Sequence, residues 1–223
     1  NFSDNEYEST ILTTNYNTDD FLYTYIYAAR DMDEQNMQDF DGSPARLLRM
    51  NYFNDWDQTS HEFRITSQFS ETFEFVAGIY DWNVEYKQFW DVYDLFYQLS
   101  RLIGWQGGGW GSDVASSNGQ NQTTDSQAVY FSGDWHVNDL WTITAGFRWT
   151  EEEKDFLGGN AGAPYYPLRG EPRPALVNPV PFQGKWTETT PKVGFRYQPN
   201  DDMMVFGSYS EGFKSGGFFG RQA

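Results

Sequence analysis

Two stretches of this sequence carry residue types suited to capturing a ligand. GWQGGGWGSD (104–113) contains Trp105 and Trp110, and APYYPLRGEPRP (163–174) contains Tyr165, Tyr166, Arg169 and Arg173. Flat aromatic faces stack on a planar or sugar ligand. The guanidinium fork pairs with a carboxylate or an anionic chelate. Contact with lipopolysaccharide, or packing of the loops on themselves, would use the same residue types. A third stretch, DMDEQNMQDFDGS (31–43), has the acid density of a calcium loop. Its spacing is wrong, because Gln35 and Asn36 stand where a third ligand and a glycine are needed. Residues 31–58 carry seven acids against two arginines and read as a solvated loop. The run Glu151 to Asp155 reads as a solvated strand end.

Catalysis has little to build on. His61 and His136 lie in separate strand contexts with no serine or cysteine partner signature, so no catalytic residue is expected. There is no cysteine among the 223 residues, which excludes disulfides and thiolate metal sites. No metal and no cofactor is expected either. The net charge of -17 argues against a nucleic-acid partner, whose phosphates call for a basic surface. Acid-rich chains are often disordered, but an aromatic content of 19% argues against that. Residues 1–10 are polar and acidic and do not read as a signal peptide. No apolar run reaches the roughly 18 residues of a membrane helix. The mean hydropathy of -0.71 would suit a soluble protein. Barrel strands escape that test, since only alternate residues meet lipid.

The elements that must position these stretches are hairpins. Four units repeat a long strand-like run, a short polar turn and a second long run. The runs are 8–17 and 21–33, 60–68 and 73–90, 126–136 and 140–156, and 185–198 and 203–213. The turns at 18–20, 70–72, 137–139 and 199–202 hold the Asn, Asp, Ser and Pro that turns favour. The connections at 34–58, 91–125 and 157–184 are long, and the last holds six of the nine prolines. Short turns at one end and long loops at the other are the asymmetry of an outer-membrane barrel.

The strand faces point the same way. In LWTITAGFRWTEE, Trp141, Ile143, Ala145, Phe147 and Trp149 alternate with Thr142, Thr144, Gly146, Arg148 and Thr150. Trp141 and Trp149 are separated by about 26 Å along a strand. With a tilt of about 40° this spans about 20 Å of membrane normal, close to the apolar band of such barrels with an aromatic at each border. HEFRITSQF and KVGFRYQ repeat the scheme. In FGSYSEGFKSGGF the expected lipid face is Val205, Gly207 and Tyr209. The expected lumen face is Phe206, Ser208, Ser210, Gly212 and Lys214, with a bend at Gly216 and Gly217. Half-buried strands of a soluble sandwich would alternate in the same way.

YSEGFKSGGF (209–218) resembles a late-barrel segment of TonB-dependent outer-membrane receptors. WTITAGFRWTEEEKDF (141–156) and HEFRITSQFSETFEFVAGIYDWNVEY (61–86) are similar to other strands of that family. The resemblance implies an all-β fold, an antiparallel transmembrane β-barrel of which about eight strands out of about 22 are present. The family's plug and TonB-contacting segment are absent, so the chain looks like an internal part of the barrel domain, residues 1–223. The implied function is energised uptake of a siderophore-type or other scarce ligand across the outer membrane of a Gram-negative bacterium. The implied partners are outer-membrane lipid and lipopolysaccharide, the small ligand, and the TonB system acting through the plug. A small structural or adhesive barrel and a soluble carbohydrate-binding β domain are the alternatives.

Overall fold

The computed structural model describes residues 2–39, 42, 48–67, 70–93, 114–161 and 175–219. Among them every regular element is a strand: β1 (Phe2–Asn17), β2 (Phe21–Asp39), β3 (Arg49–Ser67), β4 (Phe73–Tyr93), β5 (Val114–Asn138), β6 (Trp141–Ala161), β7 (Leu176–Asn200) and β8 (Met203–Ser210). They form one sheet in sequence order, each strand antiparallel to the next. The sheet does not close on itself, and β1 and β8 are its edges.

Side chains that satisfy the backbone make the turns tight. Thr18 Oγ accepts the Phe21 N–H at 3.0 Å. Ser70 Oγ accepts from Thr72 and Phe73, and Asn138 Oδ1 accepts from Leu140 and Trp141 at 2.9 and 3.0 Å. Asn200 Oδ1 takes the Asp202 N–H. These are the local side-chain bonds for which Ser, Thr and Asn are selected in turns. All four turns fall at one end of the sheet, because antiparallel neighbours place alternate connections at opposite ends.

The strands reach further from the turns than the alternation pattern predicts. Much of the expected acidic loop 34–58 is strand, as β2 continues to Asp39 and β3 begins at Arg49. Residues 114–125 and 176–184, expected in long loops, extend β5 and β7. Residues 114–125 carry no hydrophobic period, and in 176–184 prolines and an asparagine interrupt Leu176, Val180 and Phe182. Ladder bonds to neighbouring strands hold them instead. Register shifts between Gly158 and Asn160 place Asn178 at φ 49°, a left-handed conformation that Asn tolerates.

The last strand is shorter than expected, ending at Ser210 rather than 213. The Pro191 carbonyl accepts the Glu211 N–H at 3.1 Å, so the proline nitrogen also faces β8 and has no hydrogen to donate. The ladder stops there. The bend accordingly starts at Glu211, before the expected Gly216–Gly217 pair. Pro181, ten residues along the same strand, shares that orientation, as suits a strand edge.

The apolar face is largely uncovered. Phe147, Val193 and Phe195 are exposed by 45%, 52% and 42%, and Trp141 is also exposed. Buried apolar packing concentrates at the long-connection end, where Phe53 and Phe89 meet Leu176.

Candidate ligand-facing wall

The register sorts side chains onto two faces. One face carries an aromatic band near the short turns. Tyr16 meets Tyr23, Phe21 meets Phe75, Phe75 stacks on Phe131, and Phe131 on Phe147. Trp141 meets Tyr197 with ring centroids 4.5 Å apart. Further along the same face Tyr25 OH bonds His61 Nδ1 at 2.9 Å, and the Tyr27 ring lies 5.2 Å from the imidazole. His61 is thus part of an aromatic border. His136 lies on the other face, 3.0 Å from Thr142 Oγ1.

Opposite the apolar band the second face is polar. Tyr130 OH donates to Glu62 Oε1 at 2.5 Å, and the Arg148 guanidinium stands 5.6 Å from the Tyr80 ring centroid and 5.9 Å from that of Tyr130. Arg196 donates to Thr142 at 3.2 Å, and Thr144 donates to Asp134 at 2.5 Å. Gly78 permits this packing, since a Cβ there would stand 2.5 Å from the Tyr130 ring. Glu62, Asp134, Arg148 and Arg196 on this face are thus hydrogen-bonded or laid on rings.

Beyond the band, towards the long connections, the polar face becomes a ladder of amides. Asn54 Nδ2 donates to Glu34 at 2.5 Å, while Asn54 Oδ1 accepts from Tyr86 OH at 3.0 Å and from Gln88 Nε2 at 2.9 Å. Gln88 Oε1 in turn accepts from Gln120 Nε2 at 3.1 Å. Trp56 and Tyr86 meet edge to face, centroids 5.5 Å apart. None of these residues was among the sequence candidates. Their signal was present in the alternations Asn54-Asp55-Trp56-Asp57-Gln58 and Glu85-Tyr86-Lys87-Gln88, but both lay where a loop or a strand end was expected.

A second cluster sits on the polar face of β6 and β7. Glu152 and Lys154 form an ion pair at 2.9 Å, each side chain only 15% exposed. Lys154 Nζ also donates to Ser215 Oγ at 2.7 Å and to the Gly216 carbonyl at 2.9 Å, and stands over the Trp186 ring. Ser215 Oγ donates to Glu152 at 2.5 Å. Phe218 packs among Phe156, Phe182 and Trp186. The segment after β8 therefore crosses the polar face instead of continuing the sheet.

The expected ligand contacts Trp105, Trp110, Tyr165, Tyr166, Arg169 and Arg173 lie outside the described residues. They belong to the connections that leave β4 and β6 at the end of the sheet where the amide ladder lies. Among the described residues no group of acids and histidines could hold a metal ion. Most of the acidic stretch 31–43 is instead the far half of β2.

A family model described as TonB dependent receptor-like, beta-barrel, matches residues 1–223. No curated protein matches the chain. Among solved structures, the chain is similar to the ferric yersiniabactin uptake receptor FyuA from Yersinia pestis, with a TM-score of 0.67 and 20% identity over 92% of this chain and 28% of that one. It is also similar to the ferric citrate transporter FecA, with a TM-score of 0.61 and 11% identity over 92% and 27%. The siderophore receptor PiuA from Acinetobacter baumannii gives 0.58 and 14% over 93% and 32%. The chain spans about a third or less of each of these structures. At these identities the likeness shows a shared fold. The two-faced sheet, its hairpin order and the match along the whole chain lead to one assignment: this chain belongs to the TonB-dependent receptor β-barrel family.

Proposed function

We propose that the chain forms part of the wall of an outer-membrane receptor in a Gram-negative bacterium, through which a scarce nutrient is taken up. The observation that carries this reading is the division of one sheet into an exposed aromatic and aliphatic face and a hydrogen-bonded polar face. Among the described residues no second layer covers the apolar face, and such a face needs a nonaqueous solvent on that side. Its polar side then faces the lumen. The long connections face outside the cell and the four short turns face the periplasm. Trp105, Trp110, Tyr165, Tyr166, Arg169 and Arg173 stand at the outer mouth as ligand contacts. Outer-membrane lipid and lipopolysaccharide cover the outer surface.

Uptake is energised by TonB, acting through a plug domain. Solved relatives are named for ferric yersiniabactin, ferric citrate and siderophores, which supports a siderophore-type or other scarce ligand. The test is accumulation of labelled ferric chelates and oligosaccharides by cells producing the full-length protein, with and without TonB. Accumulation of at least one solute that needs both proteins is expected. No TonB-dependent accumulation of any solute would overturn the reading.

A further inference from the structure

Beyond the apolar band, β3, β4 and β5 separate charge from amide residue by residue. Asp55, Asp57, Glu85 and Lys87 lie on the outer face, and the register sets Asp57 against Glu85 and Asp55 against Lys87. The inner face at the same height pairs Asn54 with Gln88 and Trp56 with Tyr86, and continues to Gln120 and Gln122 on β5. None of the even-numbered positions 50–58, 82–92 and 118–126 is charged, in a chain with a net charge of -17. The inner wall of these three strands is therefore built from amides, hydroxyls and aromatic rings, with Met50, Val84 and Val92 among them and no charge.

This composition selects by chemistry. An anionic chelate pressed against these three strands would lose water and gain no cation from them; the cations flanking them on the same face are Arg30, opposite Gln58, and Lys154, opposite Thr124 and already paired with Glu152. A primary amide presents a donor and an acceptor side by side. Two neighbouring hydroxyls of a sugar need that same pair. The half-buried rings of Trp56 and Tyr86, set at 61°, give a corner that can cover the C–H face of a pyranose. The ladder is also pre-ordered. Asn54 is held from both ends by Glu34, Tyr86 and Gln88, so little side-chain freedom is lost on binding. Gln88 and Gln120 each use one amide N–H within the ladder and keep the second.

We propose that this wall is a binding site for an uncharged polyhydroxylated ligand, an oligosaccharide, in the outer vestibule of the barrel. The proposal deepens the receptor reading and rests on it for the direction of the polar face.

The full-length protein, purified in detergent, is applied to an array of neutral oligosaccharides. Each sugar retained is then titrated by tryptophan fluorescence, with ferric citrate as the charged comparison. Saturable binding of a neutral oligosaccharide is expected, weakened at least tenfold by Trp56→Ala and by Gln88→Ala. Heat-modifiable migration reports whether each variant is folded. Gln120→Glu keeps the side-chain size and places a charge on the ladder, and it is expected to weaken binding at least fivefold should either truncation fail to fold. Absence of binding to every sugar on the array, or binding that the folded variants leave unchanged, overturns the proposal. TonB-dependent uptake of a ferric chelate that Trp56→Ala does not alter would overturn it and leave the receptor reading intact. Oligosaccharide binding without TonB-dependent uptake would overturn the receptor reading alone.

Discussion

The Trp141 and Tyr197 rings lie 4.5 Å apart on neighbouring strands, at the end of the apolar face nearest the short turns. Trp141 is the first residue of β6 and Tyr197 is three short of the end of β7, so the pair marks where both strands leave the turns. Amphipathic rings at that height border an apolar band. Phe147 lies six residues further along β6, within the band and stacked on Phe131.

Phe147→Arg places a guanidinium in that band. Such a charge near the midplane costs about 2–4 kcal/mol. Urea unfolding of the full-length protein in lipid vesicles should show this loss. An unchanged midpoint would mean that this face does not meet lipid.

Gly78→Ala tests the close approach of Tyr130. The new methyl would stand 2.5 Å from the ring and 2.8 Å from the Phe63 carbonyl. Overpacking of this kind costs about 1–3 kcal/mol. Adding Tyr130→Ala removes the ring contact but not the carbonyl contact, so a double-mutant cycle should recover only part of the loss.

Lys154→Met leaves Glu152 largely covered, with Ser215 as its remaining partner. Breaking a covered ion pair on one side costs on the order of 3 kcal/mol. The same change removes two hydrogen bonds that tether Ser215 and Gly216. A cysteine placed by Ser215→Cys should then react faster with a water-soluble maleimide than it does beside Lys154. Equal rates would show that the ion pair does not hold the segment.

Residues 1–223 expressed alone present two open sheet edges, one of them the 16-residue β1. Unpaired edge strands of this length template association. Light scattering after refolding should show aggregates. A monodisperse, heat-modifiable species would point to a barrel closed by these eight strands.

Deletion of residues 104–113 removes Trp105 and Trp110, two of the proposed ligand contacts. Loops of this kind change length at small entropic cost, so folding should be retained. Labelled-ligand uptake by cells should fall severalfold. Unchanged uptake and affinity would exclude this loop as a binding element.

The strand parity was legible because a barrel wall repeats every two residues. Trp141 to Trp149, Phe63 to Ile65 and Val193 to Tyr197 assigned their own faces, and the turn residues Thr18, Ser70, Asn138 and Asn200 named the hairpin tips. The resemblance of residues 209–218 pointed to the family that the match along the whole chain establishes.

Strand extent was not legible. The stretch 114–125 shows no apolar period, and 176–184 holds two prolines, an asparagine and a glycine, residues disfavoured in strands, so both read as loops. They become strands because neighbouring backbones complete their hydrogen bonds, a contribution that no local pattern contains. The amide ladder was hidden for the same reason. Asn54, Tyr86, Gln88 and Gln120 are far apart in sequence, and only the pairing register brings them together. The path after Ser210 depended on two distant groups, the donor missing at Pro191 and the Phe156, Phe182 and Trp186 cluster that receives Phe218. Within the strands it marks, the sequence by itself determined which way a side chain points, because alternation is a property of one strand. Which side chains meet was decided by the tertiary structure, because register is a property of two.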